Sequence, residues 1–326
     1  MNRKSLKLAT ACASLFAALW AGAAPAQPAY PDKPIRVIVP FPAGGSSDVS
    51  ARMVLDHVAR SIGQPIVVEN RAGASGRIGA AAAAKAPADG YTLLLVNSAS
   101  QTVPAALSVN PPPYDPVKDF SPISRLVDIP LTLMVNPKLP IHSLPELIAY
   151  ARQHPGQLAI ATPGVGTVTH LSGEILKAKT GIDIRFIHYR GDAPAVTDAI
   201  GGHVSGIIIG GGDSHHKSGA LRAIGVTSRE RSSRLPEVPT FAEAGVPGYE
   251  VVGWNGLAAP AGAPAAVIGT LHQAVAQALG DPALREQLAA NGYQSAPSTP
   301  QQLAELIKSE LTTWREIGET AGIRLE

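Results

Sequence analysis

The sequence predicts an α/β protein of two lobes with a ligand cleft between them. Three observations carry that prediction. Short β-branched runs alternate with helical patterns through short loops, as in a parallel sheet covered by helices. The alternation pauses near Pro111 and restarts near Thr132. Two proline-dense stretches, 111–130 and 236–264, stand where the chain would cross between lobes.

Each element has its own reason. Ile35 to Val39 is a β-branched run stopped by Pro40 and Pro42. A helix with Val49, Met53 and Val58 on one face follows, with Ser46 or Ser47 as expected N-cap and Asp48 in its first turn. Ile66 to Glu69 is a second strand. The glycine-rich loop Ala72 to Gly76 leads into an alanine helix over 78–85, and Thr92 to Val96 is a third strand. In the second lobe, strands are expected at 132–135, 158–161, 184–189, 204–209 and 221–227. Helices are expected there at 145–153, 167–179 and 194–200. Three helical segments close the chain, the last with Leu303, Leu306, Ile307, Leu311, Trp314 and Ile317 at helical spacing. The resulting expectation is lobe 1 from 27–127 plus 248–326, lobe 2 from 128–247, and a two-crossing hinge with the ligand between them.

Composition narrows the function. Of 326 residues, 45 % are hydrophobic, enough for globular cores, so disorder is excluded over most of the chain. A single cysteine, Cys12, cannot form an internal disulfide. Arg3, Lys4 and Lys7, an apolar run over 8–19 and the small-x-small site Ala24-Pro25-Ala26 read as a cleavable signal peptide, 1–26. The apolar run is too short for a membrane anchor, and Ala9-Thr10-Ala11-Cys12 makes a poor lipid-attachment site. Without the three basic residues, 24 cations face 25 acids, a net charge of −1. A near-neutral surface without Lys/Arg runs carries no footprint for nucleic acid. An exported periplasmic monomer is expected.

Two loops attract chemistry. Phe41-Pro42-Ala43-Gly44-Gly45-Ser46-Ser47-Asp48 lies between a strand end and a helix start, where backbone N–H groups and the helix dipole favour an anion. It matches neither a Walker loop nor G-x-G-x-x-G. Thr162-Pro163-Gly164-Val165-Gly166-Thr167-Val168-Thr169-His170 repeats that setting in the second lobe, but Thr169 stands where a dinucleotide loop needs its third glycine. Two such loops facing each other would clamp a small carboxylate. Adjacent His215 and His216 do not converge on one ion, so no metal and no cofactor is expected, and a surface loop is expected there. No G-x-S-x-G elbow occurs, and no catalytic residue is assigned. An exported hydrolase or isomerase using His170 is the alternative from another class. Trp254 lines the cleft or belongs to the core; Trp314 belongs to the core.

In order along the mature chain, these segments resemble the Bug family, the periplasmic substrate-binding proteins of tripartite tricarboxylate transporters. The likeness rests on Tyr30-Pro31-Asp32-Lys33-Pro34-Ile35-Arg36, Val39 to Gly45, Glu69-Asn70-Arg71-Ala72-Gly73 and Asp89-Gly90-Tyr91-Thr92. It continues through Tyr114-Asp115-Pro116-Val117-Lys118-Asp119-Phe120, His170-Leu171-Ser172-Gly173-Glu174, Leu235 to Thr240 and Ala259-Pro260-Ala261-Gly262. The resemblance implies a type II periplasmic-binding fold closing on a di- or tricarboxylate, an acidic amino acid or an aromatic acid. It further implies delivery to integral-membrane transporter subunits; presentation of the bound ligand to a membrane sensor kinase is the alternative that the sequence does not separate from transport. The implied ligand contacts are Phe41, Ala43, Gly44, Gly45 and Ser46; Asn97 and Ser98; Thr162, Gly166, Thr167 and His170; and Tyr189 and Asp213. Gln101-Thr102 departs from the family's usual His-Ala. The segment Val204 to Lys217 is about two residues shorter, with Ser214-His215-His216 replacing a proline and an apolar residue.

Overall fold

A computed structural model describes residues 30–325 apart from Arg190. The predicted signal peptide lies outside the described residues. In chain order the strands are β1 (Ile35–Val39), β2 (Ile66–Asn70), β3 (Thr92–Val96), β4 (Phe120–Val135), β5 (Leu158–Thr162), β6 (Ile184–His188), β7 (Gly206–Gly210), β8 (Arg222–Val226), β9 (Val252–Pro260) and β10 (Gln294–Ser295). The helices are α1 (Ser46–Ile62), α2 (Arg77–Ala84), α3 (Thr102–Leu107), α4 (Leu144–Gln153), α5 (Val168–Thr180), α6 (Asp192–Gly201), α7 (Asp213–Lys217), α8 (Ala265–Gly280), α9 (Pro282–Ala290) and α10 (Pro300–Ala321).

The sheet runs β2-β1-β3-β9-β4-β7-β5-β6, with β8 and β10 also on β4. Both ends are parallel, β2-β1-β3 and β6-β5-β7, and each is built from strands alternating with helices. The two ends meet through antiparallel β9 and β4. β4 serves both halves. Phe120 to Pro130 pairs with β9, and Leu131 to Val135 pairs with β7 and β8.

Apolar side chains cover both faces of each half. In the first, Val37, Val39 and Leu95 pack under α1, α8 and α9, while Ile38, Leu94, Val96 and Trp254 pack under α2 and α10. In the second, Leu131, Leu133 and Val135 face one core and Met134 the other, the period-two alternation of a strand. Leu93 to Val96 are fully buried, and each such side chain contributes about 2 kcal/mol of transfer free energy. The α10 helix has 22 residues and spans roughly 33 Å. Its Leu303 and Ile307 belong to the first half's core, whereas Trp314 packs in the second half's, together with Val103 and Leu107 of α3.

Most predicted elements appear within two residues of their expected bounds. Three do not. β9 occupies a stretch read as proline-marked crossing, and β4 begins twelve residues before the expected Thr132. Register shifts between Pro122 and Ser124 and between Arg125 and Val127 let the proline-bearing strand stay paired. His215 and His216 sit on the short helix α7 rather than in a loop, and Trp254 is a core residue, 2 % exposed.

Candidate ligand-binding site

The first loop leaves β1 at Val39 and enters α1 at Ser46. Gly44 adopts φ +76°, a conformation that favours glycine, and Gly45 is the N-cap. No side chain caps α1, so neither Ser46 nor Ser47 does what its position suggests. The Ser46 hydroxyl shares a hydrogen bond with Tyr293 Oη at 3.2 Å, and Ser47 Oγ donates to Asn255 Oδ1 at 3.4 Å. The first-turn N–H groups of a helix have no acceptor within it, and here no side chain supplies one.

Asp48 shapes this loop from below. Its carboxylate accepts from Gly44 N–H at 2.8 Å, from Asn70 Nδ2 at 2.8 Å and from Arg52 Nε at 3.0 Å. Asn70 Nδ2 also donates to the Phe41 carbonyl at 3.0 Å. Burial alone would raise the Asp48 carboxyl, but these donors outweigh it and hold the group below the usual carboxylate range. Pro42, Ala43, Gly44 and Ser46 face solvent above that anchor, while Phe41 and Gly45 are half-buried.

Asn97 and Ser98 form the turn after β3. Asn97 Nδ2 donates to Asn255 Oδ1 at 3.2 Å and to Ser47 Oγ at 3.4 Å, joining this turn to the first loop. The Ser98 hydroxyl is spent elsewhere, on Glu310 Oε1 at 3.0 Å. That bond anchors the turn to α10. Gln101 on the same turn is fully buried, and neither polar atom of its side chain has a partner.

The second loop is closed on itself. Thr167 Oγ1 donates to the Gly164 carbonyl at 2.8 Å and accepts from His170 N–H, capping α5. His170 Nδ1 accepts from Gly166 N–H at 3.1 Å, so that nitrogen carries no proton in this arrangement. Its Nε2 lies 3.7 Å from Glu174, and its ring packs edge-on against His188 at 4.4 Å. Burial, with His170 next to it, holds the His188 ring below the usual imidazole range. Thr162 Oγ1 and His188 Nδ1 share a hydrogen bond at 2.8 Å. Tyr189 donates its hydroxyl to Asp198 at 2.7 Å, and burial together with that carboxylate pushes it up to about 12.

Asp213 takes another part than the one its position suggests. Its carboxylate accepts from Arg234 Nε at 2.9 Å and Nη2 at 2.5 Å, and lies 3.7 Å from Lys217. Arg234 also donates to the Ala290 carbonyl, so this pair ties the second half to the end of α9. No group of three or more His, Cys, Asp or Glu side chains gathers for a metal among the described residues. No helix among them is long and apolar enough to cross a membrane. Asn255 and Tyr293 tie the first loop to distant parts of the chain; of the two, only Asn255, within Gly253-Trp254-Asn255-Gly256, has a local signal in the sequence.

The model of the tripartite tricarboxylate transporter family receptor, TctC, matches residues 50–323. The chain belongs to that family. Among curated relatives, Protein BugT of Bordetella pertussis (strain Tohama I) is 41 % identical over 300 residues, covering 91 % of this chain and 92 % of BugT. Two solved structures share its fold. The periplasmic binding protein BugD gives a TM-score of 0.75 at 32 % identity, covering 91 % of this chain and 100 % of BugD. An R. palustris protein with adipate gives 0.78 at 34 %, covering 90 % of this chain and 99 % of that one. This TctC receptor therefore has the periplasmic binding protein fold, and its relatives are solute-binding proteins. At His170, Nδ1 is taken by the Gly166 N–H while Nε2 lies 3.7 Å from Glu174.

Proposed function

We propose that this protein captures a small organic carboxylate in the periplasm and delivers it to a tripartite tricarboxylate-type membrane transporter. The observation that carries the reading is the uncapped start of α1 above the Asp48 anchor. There, no side chain caps the first-turn N–H groups, and the positive end of the helix dipole favours an anion, while the Asp48 carboxylate is turned to Gly44, Asn70 and Arg52. The adipate found with a structural relative supports the same ligand class.

Phe41, Ala43, Gly44, Gly45, Ser46 and Asn97 form one wall of the site, and Thr162, Gly166, Thr167, His170 and Tyr189 the other. The lobes are 27–127 plus 248–326 and 128–247, with movement where β4 passes Pro130 and where β9 begins. Closure follows from the ligand's preference for the closed form.

The test is thermal unfolding against adipate, malate, citrate, glutamate and benzoate. At a ligand concentration of 100 Kd the folded state gains about 2.7 kcal/mol, and the transition moves up accordingly. A cooperatively folded sample that no carboxylate stabilises contradicts the reading. Delivery is checked by uptake of the bound acid in vesicles carrying the transporter subunits, which depends on added receptor.

A further inference from the structure

Glu310 is a carboxylate that the ligand site as described does not use. It stands on α10 between Ile307, in the first half's core, and Trp314, in the second half's. Each of its two oxygens takes two donors. Oε1 accepts from Trp254 Nε1 at 2.8 Å and Ser98 Oγ at 3.0 Å; Oε2 accepts from Thr102 Oγ1 at 2.6 Å and Trp314 Nε1 at 3.3 Å. These four partners are 2 %, 1 %, 0 % and 4 % exposed, so the carboxylate end lies among buried groups although the residue as a whole is of intermediate exposure. All four are neutral. An ionised carboxylate offers four acceptor sites in that shape, whereas an amide offers half as many and two donors besides. Burial pushes the Glu310 carboxyl above the usual carboxylate range, and the four donors pull against that shift.

The donors are not scattered. Ser98 and Thr102 bracket the turn after β3, and Trp254 precedes Asn255 on β9. Asn97, beside Ser98, and Asn255 bond each other at 3.2 Å, and Asn255 Nδ2 donates to Ser50 Oγ at 2.9 Å. With the contacts of both asparagines to Ser47, one continuous buried network runs from α10 to the start of α1.

We infer that Glu310 is a positioning residue for the ligand. It clamps the Asn97–Thr102 turn and, through Trp254 and Asn255, sets the height of Ser47 at the uncapped helix start. The inference rests on the proposed carboxylate site. A purely space-filling role would not call for a carboxyl group here, since burying one is costly and an apolar side chain would pack as well.

The test uses the full mature chain with Glu310→Gln and, as a milder variant that keeps the charge, Thr102→Val. Hydrogen exchange by mass spectrometry is read over 97–102 and 45–50, with 158–162 and 206–210 as the control. Tryptophan emission is read in parallel, because Trp254 and Trp314 both donate to Glu310. Adipate is the binding probe. Glu310→Gln is expected to speed exchange over 97–102 and 45–50 by about tenfold or more, leave the control unchanged, shift the emission and weaken adipate about tenfold. Thr102→Val is expected to do the same to a smaller extent, and it decides the matter if Glu310→Gln does not fold. Unchanged exchange over 97–102, or faster exchange spread evenly over the chain, overturns the inference. So does local loosening with adipate affinity intact. If the wild-type chain binds no carboxylate, the proposed function fails, while the exchange and emission arms still decide the clamp.

Discussion

The loops after β1 and after β5 start from the same plan, a strand end, two glycines and a helix, yet they resolve their polar groups in opposite ways. At Phe41 to Asp48 the anchor is a carboxylate below the loop, and the helix start above it is uncapped. At Thr162 to His170 the loop's own threonine caps the helix and a histidine takes the Gly166 N–H. The first loop spends its Gly44 and Gly45 N–H groups on Asp48 and the Pro42 carbonyl but leaves its helix start uncapped; the second spends the Gly166 N–H on His170 and caps its helix as well. The comparison teaches that glycine spacing alone does not make an anion site. What matters is whether neighbouring side chains consume the N–H groups. On this account the first loop supplies affinity for the carboxylate, and the second supplies a stiff wall that selects the rest of the ligand.

The sharpest way to break that contrast is Asp48→Ala. It removes the acceptor for Gly44, Asn70 and Arg52, and is expected to cost about 2–3 kcal/mol, discounted for the half-exposed Arg52, and to abolish carboxylate binding. Thermal unfolding and adipate titration check both. The folded-state pKa of Asp48 is depressed, so its contribution is present above the unfolded carboxyl range and fades as pH falls through the folded value.

Next in size is Gly166→Ala. Gly166 holds φ +70°, and an added Cβ would come within 2.5 Å of the Leu325 side chain. The strained backbone is expected to cost about 1–2 kcal/mol, lowering the melting temperature by a few degrees. Binding should change by selectivity among acids rather than by general loss, as calorimetry across the same acids will show.

The stretch of β4 between the two halves offers a third handle. Burial, and to a smaller degree Glu250, pushes Asp128 up to about 6 against the pull of Arg125. Its folded-state pKa is raised, so the native state holds a proton between about pH 4 and 6 that the unfolded chain releases. Stability from this group therefore grows as pH falls from 6 to 4 and is lost as pH rises. Asp128→Asn should flatten that slope and add about 1–2 kcal/mol at pH 7, measured by urea unfolding at several pH values. The smallest expected effect on stability is Thr167→Ala, about 1 kcal/mol for the lost cap, with selectivity among the acids altered as at Gly166; thermal unfolding and calorimetry check both.

Much of the architecture can be read from residue patterns. β1 and β3 are nearly continuous apolar runs, interrupted only by Arg36 and opened by Thr92, because both faces of a parallel sheet are covered, and their bounds are legible to the residue. β9 is not legible. Gly253, Asn255 and Gly256 give it a weak strand signal, and it is a strand because it fills the slot between β3 and β4. Pro122 and Pro130 hide the first part of β4 for a similar reason. At the site, both glycine loops can be located from sequence. The consumption of their side chains cannot, because it depends on partners far along the chain. Ser98 meets Glu310 across 212 positions, and Ser46 meets Tyr293 across 247. Asp213, a plausible ligand contact by position, is taken by Arg234.

The central claim is that a ligand carboxylate sits on the uncapped start of α1. A crystal structure of the protein with the acid that most raises its melting temperature tests this most directly. A carboxylate oxygen is expected within hydrogen-bonding distance of a backbone N–H among Ser46, Ser47 and Asp48, with the loop at Thr162–His170 against the ligand's other end. A carboxylate held only by the second loop, or bound away from both, would contradict it.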